Sequence, residues 1–245
     1  MEDDLSSTSD HSSLRTQVSN WLRLVELSGT REVILPGLTS RDQASGEQLT
    51  PAETPAGEGA PLATLDALQR QVESCTRCDL HRTRTSVVFG EGNPASRLLF
   101  IGEGPGRDED LQGRPFVGRA GMLLTKIIEA MGLRRENVYI ANIVKCRPPG
   151  NRNPDLDEIA ECLPHLESQI EMIKPEVICT LGNISTQTLL GVKSGITSVR
   201  GRFFEYRGIK VMPTFHPAAC LRKPETKRLV WRDVKQIMKA LELPI

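Results

Sequence analysis

Short apolar runs alternate with longer amphipathic runs along the chain after Pro61. The short runs predict four β-strands, of which we expect the first three to be buried on both faces: 98–101, 138–144, 177–181 and 211–215. Apolar residues at helical spacing predict helices near positions 119–131, 155–173, 183–190 and 224–241. This alternation is typical of an α/β fold, in which helices cover a parallel sheet. The turn Arg207-Gly208, between 203–206 and a strand from Ile209, predicts an edge hairpin.

The first sixty residues do not follow this alternation. Apolar residues at helical spacing predict one amphipathic helix over 12–28: Leu14, Val18, Trp21, Leu22 and Val25. From Pro36 to Pro61 there is too little apolar surface to offset the entropy of ordering, which predicts a flexible linker. We therefore expect an acidic, mostly disordered extension over residues 1–60 and one folded domain over residues 61–245.

The composition excludes several classes of protein. The 245 residues are 38% hydrophobic and 25% charged, which is unlike collagen-like, wholly disordered or membrane-embedded chains. No apolar run approaches the roughly 20 residues that span a bilayer, and the start MEDDLSS lacks the layout of a signal peptide. We expect a cytoplasmic protein that does not bind membranes. In a reducing compartment its six cysteines are expected to be thiols or metal ligands rather than disulfides.

The net charge of zero conceals an uneven distribution. Residues 1–60 carry ten acidic and four basic side chains, which leaves residues 61–245 with a net charge of +6. A basic domain of this kind is compatible with a polyanionic partner.

Glycine and polar residues follow or end each predicted parallel strand. They are the segment 102–106, Asn142, Gly182-Asn183 and His216-Pro217. Each has an ordinary structural explanation when taken alone, as a turn, a loop anchor or a hydrogen-bonded histidine. The carboxyl ends of parallel strands meet at one edge of the sheet, where ligands bind in open α/β folds. Their joint placement therefore predicts one site.

Two nucleotide-binding motifs fail on inspection. The glycines of 102–106 lack the third glycine of the dinucleotide fingerprint, because Arg107 occupies its position. The segment 113–120 has the glycine spacing of a P-loop but ends in Arg119-Ala120 instead of Lys-Ser/Thr. A glycine-rich segment that opens a helix still offers free backbone N–H groups, which suit an anion such as a DNA phosphate.

Four cysteines have a spacing that suggests a metal centre. Cys75 and Cys78 form a close pair, whereas Cys146 follows the second strand and Cys162 lies in the next helix. Four thiolates hold either zinc or an iron–sulfur cluster, and the spacing does not choose between them. Cys179 lies inside an apolar strand and is expected to be a small buried hydrophobic residue.

Three motifs together resemble the family 4 uracil-DNA glycosylases, which are the iron–sulfur type. They are the block from Gly102 to Gly121, Asn142 with the run 145–149 (Lys-Cys-Arg-Pro-Pro), and the run 216–218 (His-Pro-Ala). The resemblance extends from about Leu65 to Leu243. It implies a central four-stranded parallel sheet flanked by helices. It also implies a structural [4Fe-4S] cluster, with four ligands: Cys75, Cys78, Cys146 and Cys162.

The resemblance implies a monomeric enzyme of base excision repair. Its substrate would be uracil-containing DNA, single- or double-stranded, in which it would hydrolyse the N-glycosidic bond of a flipped deoxyuridine and leave an abasic site. His216 would donate a hydrogen bond to uracil O2 as negative charge develops there. Glu103 would position the water, because Gly104 stands where family 1 enzymes carry an aspartate.

The same resemblance assigns residues to the base and to the DNA. Phe116 would stack on uracil, Asn142 would recognise its N3–H and O4, and Gly104 and Glu109 would line the pocket, Glu109 helping to exclude the methyl group of thymine. The DNA-intercalating segment would carry its apolar wedge on Leu221, assisted by Cys220. Phosphate contacts would follow beside it: Arg222, Lys223, Lys227 and Arg228.

Two other interpretations compete with this one. A related protein that attaches covalently to abasic DNA has Glu-Gln-Pro in the first motif and a histidine in an insertion after the second strand. This chain has Gly104 before Pro105, and no histidine lies between Cys146 and Cys162. A non-catalytic iron–sulfur module that binds DNA or a partner is the alternative from another class, but phosphate binding alone would not require Asn142, Phe116 and His216.

Overall fold

The computed structural model describes residues 64–244, in which a six-stranded mixed sheet forms the centre. The strands are β1 Glu91–Gly92, β2 Leu98–Gly102, β3 Tyr139–Asn142, β4 Val177–Leu181, β5 Phe204–Tyr206 and β6 Ile209–Thr214. Their order across the sheet is β1-β3-β2-β4-β6-β5. The four central strands are parallel, and β1 and β5 are antiparallel edge strands.

The expected four-stranded sheet is therefore wrong in strand number, although its four parallel strands are present. β1 has only two residues, which is too short for a hydrophobic pattern in the sequence. β5 is the first strand of the predicted hairpin. Its turn residues Arg207 and Gly208 both have positive φ, as a two-residue turn of the primed type requires.

Eight α-helices flank the sheet within residues 64–244. They are α1 Leu65–Glu73, α2 Arg107–Gln112, α3 Arg119–Ala130, α4 Leu156–Ile173, α5 Asn183–Leu190, α6 Ile196–Val199, α7 Pro217–Arg222 and α8 Lys227–Ala240. The pattern predicted α3, α4, α5 and α8 and missed the others. Three of those missed, α2, α6 and α7, have six residues or fewer, too few for helical periodicity to show. The last helix was predicted to begin at position 224 but begins at Lys227, and a separate 3₁₀ turn, Pro224–Thr226, precedes it.

Two apolar cores lie on opposite faces of the sheet, because successive strand residues point to opposite sides. Leu99 and Ile178 pack with residues of α4 on one face. Phe100 and Cys179 pack with residues of α3 and α8 on the other face. The burial predicted for β2, β3, β4 and Cys179 is confirmed.

The predicted helix over 12–28 and the predicted linker lie outside the described residues. Among residues 64–244, every helix is too short or too polar to cross a bilayer.

Candidate active site

A cavity of about 580 Å³ lies at the carboxyl ends of the four parallel strands. One residue after or at the end of each strand lines it: Glu103, Asn142, Gly182 and His216. Gly104, Glu109, Phe116 and Arg222 also line it. The structure thus brings together Glu103 and His216, which lie 113 positions apart, because parallel strands end at the same edge of the sheet.

Asn142 ends β3 and is only 1% exposed. Its Oδ1 is buried and has no hydrogen-bond partner within residues 64–244. A buried acceptor without a partner costs about 1–3 kcal/mol, so this oxygen is available to a ligand that donates an N–H. Gly102 lies beside it in the sheet register. A Cβ atom on Gly102 would clash with Oδ1 and lie 2.5 Å from Cζ of Phe116, so glycine is required there.

Phe116 forms a wall of the cavity from a loop with unusual backbone geometry. Its φ is +51°, a left-handed conformation that is uncommon for an aromatic residue. Gly121 in α3 packs so closely under the Phe116 carbonyl that a Cβ atom would not fit. The Phe116 ring lies 5.6 Å from the His216 ring between centroids, with the planes inclined by 34°.

Glu109 joins the two glycine-containing loops beside the cavity. Its carboxylate accepts backbone N–H groups from Gly106 at 3.1 Å, Val117 at 2.9 Å and Gly118 at 2.8 Å. Glu109 lines the cavity as predicted, but both of its oxygens are used by the backbone. Its contacts therefore indicate that it supports the cavity wall, and its predicted exclusion of thymine would act through that wall.

His216 caps α7 and is held in one tautomer. Its Nδ1 accepts the backbone N–H of Ala218 at 3.1 Å. Burial, and to a smaller extent the positive charge of Arg222, lowers the pKa of His216 to about 4. The ring is therefore neutral at pH 7, and its proton is assigned to Nε2 because Nδ1 is an acceptor. A neutral donor of this kind can approach an oxygen atom on which negative charge develops.

Glu103 is the carboxylate that directly follows β2. Burial raises the pKa of Glu103 above its ordinary value. The next residue, Gly104, has no room for a side chain, because its Cβ atom would lie 2.7 Å from Cγ2 of Val144. An aspartate could not occupy position 104 without movement of the Val144 side chain.

The segment predicted to intercalate into DNA forms α7. Leu221 is 37% exposed, whereas Cys220 is 1% exposed and packs in the core with α3 and α8. The predicted assistance of Cys220 in the wedge is therefore corrected, because its side chain is a core residue. Arg222 lines the cavity, and three further basic residues are exposed beside it: Lys223, Lys227 and Arg228.

Sequence reasoning missed Arg152, which also lines the cavity. Its guanidinium donates two hydrogen bonds to Glu158 at 2.8 and 2.6 Å. Arg152 thereby connects the loop after β3 to the first turn of α4. The polar run 150–153, which lies between Pro148-Pro149 and Pro154-Asp155, was the available signal for an ordered loop.

The four predicted cysteine ligands line a second, small cavity. Cys75 and Cys78 come from the loop after α1, Cys146 follows β3, and Cys162 lies in α4. Two of the four sulfur atoms have a nitrogen donor nearby. Arg84 Nη1 lies 3.2 Å from Cys146 Sγ, and the backbone N–H of Lys145 donates to Cys162 Sγ at 3.3 Å.

The chemistry of this second cavity fits a group bound by thiolates. Burial raises the pKa of the Cys162 thiol to about 12, so loss of its proton requires a positive partner such as a metal. His165 also lines the cavity, and its buried Nε2 has no partner within the described residues. Within residues 64–244, no three histidine, cysteine or acidic side chains converge as ligands of a single ion. Four thiol side chains around one cavity fit either a zinc ion or an iron–sulfur cluster.

Comparisons with known proteins give the family of this chain. A family model of the uracil DNA glycosylase superfamily matches residues 89–235. A type-4 uracil-DNA glycosylase of Thermotoga maritima is 49% identical over 176 residues, covering 70% of this chain and 92% of that relative. The corresponding protein of Archaeoglobus fulgidus is 43% identical over 184 residues, covering 72% and 92%. A type-5 uracil-DNA glycosylase of Pyrobaculum aerophilum is 26% identical over 191 residues, covering 64% and 84%.

The chain therefore belongs to the uracil-DNA glycosylase superfamily and, within it, to the type-4 family. The resemblance indicated by the three motifs is confirmed.

Proposed function

We propose that this chain is a uracil-DNA glycosylase of base excision repair. It hydrolyses the N-glycosidic bond of deoxyuridine in DNA and leaves an abasic site. The observation that carries the proposal is the buried, unpartnered Oδ1 of Asn142 in a cavity that also contains Phe116 and His216. The deoxyuridine must leave the base stack to enter this cavity, at a cost of a few kcal/mol.

Asn142 selects uracil by the pattern of donors and acceptors on the base edge. Its Oδ1 accepts from uracil N3–H, and its amide NH₂ donates to uracil O4. Cytosine has an acceptor at N3 and a donor at the exocyclic nitrogen, so both interactions would be repulsive. A buried polar pocket of this type can discriminate by roughly 10⁴-fold or more. Phe116 stacks on the base from a fixed loop.

His216 and Glu103 act on the bond that breaks. As the bond between C1′ and N1 lengthens, positive charge grows on the sugar and negative charge grows on uracil O2. Nε2–H of His216 donates to O2, which contributes roughly 3 kcal/mol by comparison with oxyanion-hole donors. The Glu103 carboxylate positions a water that forms the new bond to C1′, and its charge stabilises the sugar cation. The departing uracil keeps the electron pair of the broken bond, and the water loses one proton to the solvent as it becomes the C1′ hydroxyl group of the abasic sugar.

The surface beside the cavity binds the DNA. Leu221 fills the space of the extruded nucleotide, and Arg222 and Lys223 contact phosphates together with Lys227 and Arg228. These contacts are independent of sequence, so the affinity falls as the salt concentration rises.

The four cysteines hold a [4Fe-4S] cluster, and its role is structural. The ligands connect the loop after α1, the end of β3 and α4. The cluster therefore ties the N-terminal part of the domain to the sheet. The residues of this chain do all of the chemistry at the base.

The experiment is incubation with a 5′-labelled oligonucleotide that contains one uracil, followed by alkali, which cleaves the strand at an abasic site. Scission at the uracil position is expected with the iron-loaded protein. An oligonucleotide with thymine at that position is the control. Absence of scission from iron-loaded, folded protein would remove the proposed function and favour a non-catalytic DNA-binding module.

A further inference from the structure

The backbone on both sides of Phe116 is held by the charged side chains of Arg135 and Glu109. On one side, Arg135 donates to the carbonyl oxygens of Pro115 at 2.7 Å and of Phe116 at 3.1 Å. On the other side, Glu109 accepts the next two backbone N–H groups, those of Val117 and Gly118. Two carbonyl groups and the two N–H groups that follow them therefore have side-chain partners from outside the loop.

Arg135 is itself fixed by the edge strand β1. Its Nε donates to Oε1 of Glu91 at 3.1 Å, and Nη1 lies 3.2 Å from Oγ1 of Thr125 in α3. The side chains of Arg135 and Glu91 are about four-fifths buried, so this ion pair is shielded from salt and water. Arg114 binds the second oxygen of Glu91 at 2.8 Å and joins the start of the same loop to β1.

A left-handed phenylalanine needs such support. A residue with a bulky side chain reaches positive φ only where its surroundings enforce it, because the conformation is strained. If the carbonyl groups of Pro115 and Phe116 lost their donor, the loop would relax toward negative φ. The Phe116 ring would then leave its position beside His216, even though no residue of the cavity itself had changed.

We propose that the Glu91–Arg135 ion pair is a positioning device that holds the Phe116 ring ready to stack on the base. Neither residue touches the cavity, and their effect passes through the backbone of the loop 115–118. The proposal rests on the proposed function, in which Phe116 stacks on the flipped base. It also gives the two-residue strand β1 a role in the reaction.

The test is a double-mutant cycle between Arg135 and Phe116, measured as the single-turnover rate of uracil excision. Arg135→Met should slow excision about tenfold or more, because a small displacement of a positioned group has a large effect on rate. Binding to DNA that already contains an abasic site should change less than twofold. In the Phe116→Ala background, Arg135→Met should cause no further loss of rate, because its effect passes through the ring.

Arg134→Met is the matched control. Arg134 is the neighbouring residue, its side chain is 75% exposed, and its salt-bridge partner is Glu136. This variant should keep both the rate and the DNA affinity of the wild-type protein. Arg135→Lys, which retains a donor, should recover part of the rate lost in Arg135→Met.

Full additivity of Arg135→Met and Phe116→Ala would overturn the inference, as would an unchanged rate in Arg135→Met. If Arg135→Met does not fold, Glu91→Gln replaces it in the double-mutant cycle. Glu91→Gln should slow excision by a smaller factor, and it should cause no further loss of rate in the Phe116→Ala background. If the wild-type protein does not excise uracil, the proposed function is wrong. If the wild-type protein is active but substitution of Arg135 leaves its rate unchanged, only the inference about the ion pair is wrong.

Discussion

Nδ1 of His216 accepts the backbone N–H of Ala218 at 3.1 Å, so the ring nitrogen that faces away from α7 carries the proton. The same hydrogen bond caps α7, which carries Leu221. The donor proposed for uracil O2 and the helix proposed to enter the DNA therefore share one residue. Their two roles can be separated by substitution.

His216→Ala should slow the chemical step about 10²-fold or more, because the lost hydrogen bond strengthens mainly as O2 becomes negative. DNA affinity should change little. His216→Asn is the matched variant, since its side-chain oxygen can still cap α7 but no donor remains at the position of Nε2. The measurements are the single-turnover rate and a DNA-binding titration. A defect confined to binding would place His216 in the DNA interface instead.

The acid side of the pH–rate profile should report Glu103. Burial raises the pKa of Glu103, so the carboxylate becomes protonated at a higher pH than an ordinary glutamate. The rate should be constant above that pKa and fall as the pH decreases through it. His216 titrates only near pH 4, where protonation of Nδ1 would break its bond to Ala218. The Glu103→Gln variant should excise uracil more slowly at every pH, and its rate should not fall near the pKa of Glu103. If the rate of this variant still falls in that pH range, another group is responsible for the fall.

The purified protein should be brown and contain roughly four irons per chain. Cys146→Ala should lose colour and solubility together, because the remaining thiolates no longer tie β3 to the loop after α1. Cys179→Ala is the control, since Cys179 is buried in β4 and does not line the cysteine cavity. Iron analysis and the visible spectrum provide the measurement. Colourless protein with stoichiometric zinc after anaerobic purification would contradict the iron assignment.

Deletion of residues 1–60 should leave excision from short oligonucleotides largely unchanged, because the residues of the described part of the chain, 64–244, that line the cavity all lie after position 100. DNA binding should tighten slightly, since the deleted segment has an excess of six acidic side chains and repels a polyanion. The measurements are activity and affinity at low salt. Loss of activity in a folded, truncated protein would show that the extension belongs to the active unit.

The strand ends explain why much of the site could be predicted from the sequence. Asn142 ends one predicted strand and His216 follows another, and the geometry of a parallel sheet brings such positions to one edge. The alternation of strands and helices was sufficient to place four of the six strands. The hairpin turn at Arg207 could also be predicted, because two residues between strands leave few conformations.

The rest depends on contacts between residues that are distant in the chain. Arg135 reaches Phe116 across 19 positions and Glu91 across 44, and no local pattern reveals either contact. Glu109 is one of three consecutive acids, and only the folded loop shows that it accepts three backbone N–H groups. Burial of Cys220 beside exposed Leu221 depends on how the six-residue helix α7 packs.

The most direct test of the account measures the free base released from three duplexes that differ only in one position, which is uracil, cytosine or thymine. The wild-type protein should release uracil alone. Asn142→Asp should lose most of this activity and its discrimination against cytosine, because an ionised carboxylate accepts hydrogen bonds but cannot donate to uracil O4. Release of uracil by Asn142→Asp at the wild-type rate would contradict the claim that Asn142 recognises the base. Release of no base by the iron-loaded wild type would contradict the account as a whole.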